Sequence, residues 1–245
     1  KERLPGVSLK DFEIIAPREA KGMYDAAFVA VPSHAFDEAV PQVKITAKVW
    51  ISLAKGIVLH TLKTPCEELE KLLPEGTLIW TLAGPTHAAS VAEGLPCGMV
   101  LCGEGDMTAY QEAFSKGGLM RVYGSHDRRG AELGGALKNA YATAAGVCDG
   151  LGVGDNAKAG LLTRALSEMS RLGVALGGEA ETFFGLTGVG DLMATSYGFW
   201  SRNRQLGERV AMGEHAQAVV ETGLTAEGYR ASKGLLAMAE KKGVD

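Results

Sequence analysis

A single cation interrupts an otherwise small and apolar stretch in Glu132-Leu-Gly134-Gly135-Ala136-Leu137-Lys138-Asn139. Desolvation disfavours an ammonium, so a lysine against an apolar wall has a depressed pKa. Bringing it from about 10.4 to about 7.5 costs about 4 kcal/mol. That cost suits a general base that must lose its proton near neutral pH. The competing reading is a lysine whose stem lies along the helix while its head reaches solvent.

Four other segments place polar groups at the ends of elements. Ser52-Leu-Ala-Lys55-Gly56 puts a lysine just past a strand, where parallel sheets bind ligands, and there it can meet an anion; an ordinary surface lysine is the alternative. Leu82-Ala-Gly84-Pro85-Thr86-His87-Ala88 joins a strand to a helix. Its small residues permit close approach, and free N–H groups at a helix start suit an anion, although an ordinary turn would read the same. Asp191, in Gly188-Val-Gly190-Asp191-Leu192, can be a helix cap or can orient a catalytic lysine. Ser201-Arg202-Asn203-Arg204 offers the planar fork of Arg with neutral donors beside it. It reads as a phosphate clamp or as a basic surface turn.

The elements that must hold these groups change character along the chain. Apolar strand-like runs occur at Phe12–Ala16, Ala26–Val31, Val49–Leu53, Thr77–Leu82, Met99–Cys102 and Leu119–Tyr123. Helical stretches at Ser33–Val40, Pro65–Leu73, Thr86–Ala92 and Met107–Ser115 alternate with them, and Thr64-Pro65 is a good helix start. Such alternation implies a doubly wound, Rossmann-like parallel sheet. From Arg128 onward there are only helical patterns, at Glu132–Val147, Asp155–Leu176, Ser201–Met212 and Thr225–Lys241. Ala136, Ala140 and Ala144 form a small-residue stripe that admits a close helix neighbour, within the chain or in a homodimer. The expected fold is therefore α/β followed by all-α. A partial dinucleotide-binding domain covers 1–125 and a helical substrate and catalytic domain covers 126–245. The G-x-G-x-x-A match at Gly152-Val-Gly154-Asp155-Asn156-Ala157 follows a helix rather than a strand, so it reads as an interhelix turn that aims Asp155 or Asn156.

Composition narrows the function. A formal charge of −4 argues against a general nucleic-acid binder. No apolar run approaches the ~20 residues of a membrane span. Cys66, Cys97, Cys102 and Cys148 form no C-x-x-C pair and have no His cluster beside them, which argues for reduced thiols rather than a disulfide framework or a metal site.

In their order, Ala54-Lys55-Gly56, Gly84-Pro85-Thr86, Gly134-Gly-Ala-Leu-Lys138-Asn139, Gly150-Leu-Gly-Val-Gly154-Asp-Asn156, Gly188-Val-Gly-Asp191-Leu and Ser201-Arg-Asn-Arg204 resemble the bacterial-type NAD(P)-dependent glycerol-3-phosphate dehydrogenases. The likeness runs across essentially the whole chain. It implies a cytoplasmic oxidoreductase that interconverts sn-glycerol 3-phosphate and dihydroxyacetone phosphate with NAD or NADP, supplying phospholipid synthesis. It also implies that Lys138 is the proton acceptor and that Lys55, Gly84, Thr86, Asp191, Ser201, Arg202 and Asn203 join it in binding the small phosphorylated substrate. Lys55, Ala88, Arg202, Thr225 and Glu227 would face the cofactor. Leu4-Pro5-Gly6 resembles a point well inside the family's first domain, so an opening strand, a G-x-G-x-x-G turn and a helix are expected before it, and a final helix after the last residue. The family commonly has Phe where His87 stands. Rival readings are a related hydroxyacid or sugar-acid dehydrogenase and a non-catalytic binding protein.

Overall fold

The computed structural model describes residues 12–32, 35–224 and 226–244. Five strands form one sheet: β1 (Lys21–Val29), β2 (Lys44–Ser52), β3 (Leu78–Ala83), β4 (Cys97–Cys102) and β5 (Met120–Ser125), in the order β1-β2-β3-β4-β5. Their side chains alternate between two covered faces, as period-two geometry requires. Trp50 and Ile79 pack with Phe36, Cys66 and Leu69 on one face, beneath the short helix α1 (Phe36–Ala39) and α2 (Pro65–Leu72). Val49, Ile51, Trp80, Leu82 and Leu101 pack with Met107 and the flanking Tyr110 and Phe114 on the other, beneath α4 (Thr108–Ser115). The Thr64 cap forms as the sequence suggests. Its hydroxyl accepts from Glu67 N, and the Glu67 carboxylate accepts from Thr64 N at 2.8 Å.

Two strand expectations are corrected. The sheet is not wholly parallel, because β4 runs antiparallel to β3 while the other neighbours are parallel. The helix between them, α3 (Ala88–Ala92), has five residues and advances the chain only about 8 Å. A six-residue strand is about 20 Å long, so the chain re-enters the sheet from the end it left. Phe12–Ala16 forms no strand: Phe12 and Ile14 are exposed and pair with nothing in the sheet. The expected helix from Ser33 is described only from residue 35 and shortens to α1 and a 3-10 turn at Val40–Gln42; Ser33 and His34, like Leu4-Pro5-Gly6, lie outside the described residues.

After β5 the chain enters α5 (Arg128–Leu151), capped by Asp127, which accepts from Gly130 N at 2.7 Å. Around α5 lie α6 (Gly154–Ala175), α7 (Ala180–Phe184), a π-helical turn (Leu186–Gly190), α8 (Asp191–Tyr197), α9 (Arg202–Ala211), α10 (Ala216–Glu221) and α11 (Glu227–Lys242). Leu133, Leu137, Leu162, Met169, Phe183, Leu192 and Leu235 build its core. The close approach of α5 and α9 rests on glycines rather than on the alanine stripe. A carbon added at Gly207 would fall 1.9 Å from Thr143 O, and one at Gly146 would fall 2.0 Å from Arg204 O. Gly152 and Gly154, at φ 64° and 82°, turn the chain between α5 and α6. Asp155 and Asn156 are exposed on the first turn of α6. Among the described residues, no helix is long and apolar enough to cross a membrane.

Candidate active site

Three charged side chains from three separate elements meet beside the sheet. Lys138 sits midway along α5 and is only 4% exposed. Asp191, the first residue of α8, bridges two lysines: Oδ1 accepts from Lys138 Nζ at 2.6 Å and Oδ2 accepts from Lys55 Nζ at 2.8 Å. Asp191 is therefore not a helix cap. Lys55, on the loop after β2, keeps about a quarter of its side chain in solvent. Its stem lies against Gly135, where an added carbon would be 3.9 Å from Lys55 Cγ.

The π-helical turn sets Asp191 in this position. Gly188 packs so tightly under α7 that an added carbon would meet Phe183 O at 2.0 Å, and Gly134 of α5 is similarly close to Thr187 O at 2.6 Å. Only glycine at these places lets the turn seat against α5 and deliver Asp191 to Lys138. Single π turns recur at functional sites.

Lys138 also donates to Thr195 Oγ1 at 2.7 Å, and that hydroxyl donates to Asp191 O at 2.6 Å. Burial, and secondarily the charge of Lys55, push the Lys138 ammonium down to about 8, against the opposing pull of Asp191. The group is poised near neutrality, close to the sequence-based expectation. Thr195 was not among the expected residues. Its only signal was its place one turn after Asp191, a spacing too common to single out.

The other expected residues fall into two walls. Gly84, Thr86 and Ala88 lie on the loop after β3. Gly84 has φ 146° and packs against the β4 backbone, with an added carbon 2.9 Å from Gly98 O. Thr86 donates to Gly84 O at 3.0 Å. Pro85 packs against Gly190, which places this loop beside the turn that carries Asp191. His87 stacks on Trp200, with ring centroids 6.4 Å apart, so the same loop touches the residue before Ser201. On the helical wall, Ser201 caps α9 and accepts from Arg204 N. Asn203 donates to Asn139 Oδ1 at 2.9 Å and accepts from Gly228 N at 2.9 Å, joining α9 to α5 and to the start of α11 beside Glu227. Arg202, on the first turn of α9, is exposed, and Glu227 is half-buried. Thr225 lies outside the described residues.

One donor in this wall has no protein partner among the described residues. Asn139 Nδ2 is buried next in sequence to Lys138 and alongside Asn203. A buried amide N–H left unpaired is costly, and an oxygen of a bound ligand would satisfy it. Lys55 and Lys138 meet at Asp191, and Asn139 beside Lys138 ties to Asn203, the residue after Arg202, so the residues can take a phosphorylated substrate and the reacting end of a dinucleotide. Among the described residues there is no group of three metal-ligating side chains.

Comparison with known proteins gives a consistent picture. Residues 3–109 match the family model for the NAD-dependent glycerol-3-phosphate dehydrogenase N-terminus, and residues 127–245 match that for its C-terminus. A glycerol-3-phosphate dehydrogenase of Thermus thermophilus, named for use of NAD(P)+, is 43% identical over 100% of this chain and 76% of its own length. A Clostridium perfringens protein of the same name is 40% identical over 92% of this chain and 70% of its own. The crystal structure of glycerol-3-phosphate dehydrogenase from Coxiella burnetii superposes with a TM-score of 0.81 at 31% identity, over 90% of this chain and 69% of that one.

Proposed function

The chain belongs to the NAD-dependent glycerol-3-phosphate dehydrogenase family, and on that premise we propose that it interconverts sn-glycerol 3-phosphate and dihydroxyacetone phosphate with NAD or NADP. The observation that carries this reading is the buried Lys138, held between Asp191, Lys55 and Thr195 with its ammonium brought down to about 8. In the oxidative direction neutral Lys138 takes the proton of the secondary hydroxyl at Nζ. In the reductive direction its ammonium returns that proton to the ketone oxygen. Bound cofactor supplies the hydride acceptor or donor. Asp191 orients the lysine and balances its charge, and Lys55 meets the substrate and the cofactor.

Arg202, Ser201 and Asn203 hold the phosphate, with Gly84 and Thr86 closing on the substrate from the sheet side. Ala88, Arg202, Thr225 and Glu227 face the cofactor. We place the domain boundary at about residue 125, where β5 gives way to α5. Four free thiols support a reducing compartment such as the cytoplasm, where the reductive product would serve phospholipid synthesis.

The test is oxidation of NADH or NADPH by the full-length protein with dihydroxyacetone phosphate, set against unphosphorylated keto and hydroxy acids. The phosphate ester should be strongly preferred. Lys138→Ala should cut turnover by about 10²–10⁴-fold, the usual loss for one positioned acid–base group. Preference for an unphosphorylated acid, or unimpaired turnover in folded Lys138→Ala, would sink the proposal.

A further inference from the structure

Behind the Ser201–Asn203 segment lies a second ion cluster that the proposed reaction does not use. Asp149, in the last turn of α5, accepts from Lys158 of α6 at 2.7 and 3.0 Å and from Arg204 Nε of α9 at 2.5 Å. Arg204 also pairs with Glu208 at 2.7 Å. Lys158 is 4% exposed, and its Nζ lies 4.4 Å from the centre of the Tyr197 ring on α8. Burial alone would raise the Asp149 carboxyl, but hydrogen bonds and charge from Lys158 and Arg204 outweigh it and hold the group below the usual range. One carboxylate thereby joins α5, α6 and α9, and through Tyr197 reaches α8.

We propose that Asp149 is a positioning residue for substrate phosphate, fixing the register of α9 against α5 through Arg204. This rests on the reading of Ser201–Asn203 as the phosphate-binding segment. Arg204 follows Asn203 directly, and its own N–H is the one that Ser201 Oγ accepts, so the residue held by Asp149 also completes the helix start. The neighbouring contact is backbone on backbone: Gly146, three residues before Asp149, lies against Arg204 O. Glycine faces bring helices close but interdigitate no side chains, so they resist sliding poorly. The charged tether supplies the register. In some proteins buried ion groups fix geometry more than they add stability.

Steady-state kinetics of the full-length protein test this. Asp149→Asn should raise KM for dihydroxyacetone phosphate by about tenfold, the scale of one weakened phosphate hydrogen bond. It should leave kcat within about twofold and KM for the dinucleotide unchanged. Arg204→Gln should give the same shift, the double variant no more than either single one, and Asp149→Glu a partial return. A wild-type KM in Asp149→Asn would overturn the proposal. So would a fall in kcat together with a rise in both KM values that tracks a lower thermal midpoint. Should Asp149→Asn fail to fold, a wild-type KM in Arg204→Gln overturns it equally. Calorimetric titration with inorganic phosphate reads the segment apart from turnover: a Kd about tenfold weaker in the variant upholds the positioning role even if the wild type reduces no dihydroxyacetone phosphate, and an unchanged Kd refutes it.

Discussion

At the scale of the residue, the balance around Lys138 dictates a pH profile. Its ammonium titrates at about 8 because burial disfavours the charge, Lys55 adds repulsion and Asp191 only partly compensates. Neutral lysine is therefore scarce at pH 7 and dominant above pH 9. We expect kcat/KM for glycerol 3-phosphate oxidation to rise through about pH 8 to a plateau, and that for the reverse reduction to fall over the same range. Removing the cation in Lys55→Met should move both midpoints upward, since one source of the depression is gone. Rates measured from pH 6 to 10 decide it, and a flat oxidation profile would exclude Lys138 as the titrating base. Lys138 was legible in the sequence because a cation within Gly, Ala and Leu is poorly explained as part of a solvated face, although a lysine reaching along the helix to solvent stayed open. Thr195 and the unpaired amide of Asn139 were not, because a threonine or asparagine in a helix is unremarkable until its neighbours are fixed in space.

At the scale of the element, the contact between α5 and α9 decides where the phosphate segment stands. Gly207 faces Thr143 O so closely that a methyl group would force the helices apart. Gly207→Ala should cost about 1–3 kcal/mol, as overpacking does. That corresponds to a fall of roughly 2–4 °C in Tm for each kcal/mol in a chain of this size. The KM for dihydroxyacetone phosphate should rise with it, and a variant with unchanged Tm and KM would show that the helices yield without cost. The existence of α5 and α9 was readable from periodicity, but their closest face was not. The alanine stripe at Ala136, Ala140 and Ala144 drew attention, whereas Gly146 and Gly207 make the approach, because helix rotation is set by all neighbours together. Five of the six expected strand positions were readable in the same way, and Phe12–Ala16 was not. The direction of β4 was not, since it depends on how far the short α3 carries the chain rather than on the composition of the strand. The π-helical turn was equally hidden, because Leu186–Gly190 looks like a loop until Phe183 and Gly134 press on it from either side.

At the scale of the whole molecule, the sheet and the helices are joined by the first turns of α5 against α2. Arg128 pairs with Glu70 and donates to Ile79 O, Arg129 pairs with Glu67, and Glu132 accepts from Cys66 N at 2.8 Å. Glu132 is buried, and its second oxygen has no hydrogen-bond partner among the described residues. Burial raises its carboxyl above the ordinary 4.5, although the Cys66 and Thr64 hydrogen bonds and Arg128 pull the other way. Between pH 4.5 and that raised value the folded chain keeps a proton that the unfolded chain has released. The contribution of this carboxyl to stability is thus complete below about pH 4.5 and is lost as pH rises through the folded value. Glutamine keeps an oxygen for Cys66 N and never ionises. Glu132→Gln should therefore be more stable than wild type at pH 7.5, and the advantage should shrink toward pH 4.5. Glu132→Ala instead strands the Cys66 N–H and should lose about 1–3 kcal/mol at either pH. Urea midpoints of the three proteins at both pH values check this, and a Gln advantage that is constant or grows toward acid would refute it. Glu132 lies on the same helix as Lys138, while α2 follows the loop that carries Lys55. Loosening of this joint should accordingly appear in the kinetics of Glu132→Ala as an upward shift of the Lys138 midpoint, because Lys55 would stand farther off and water would reach the buried ammonium.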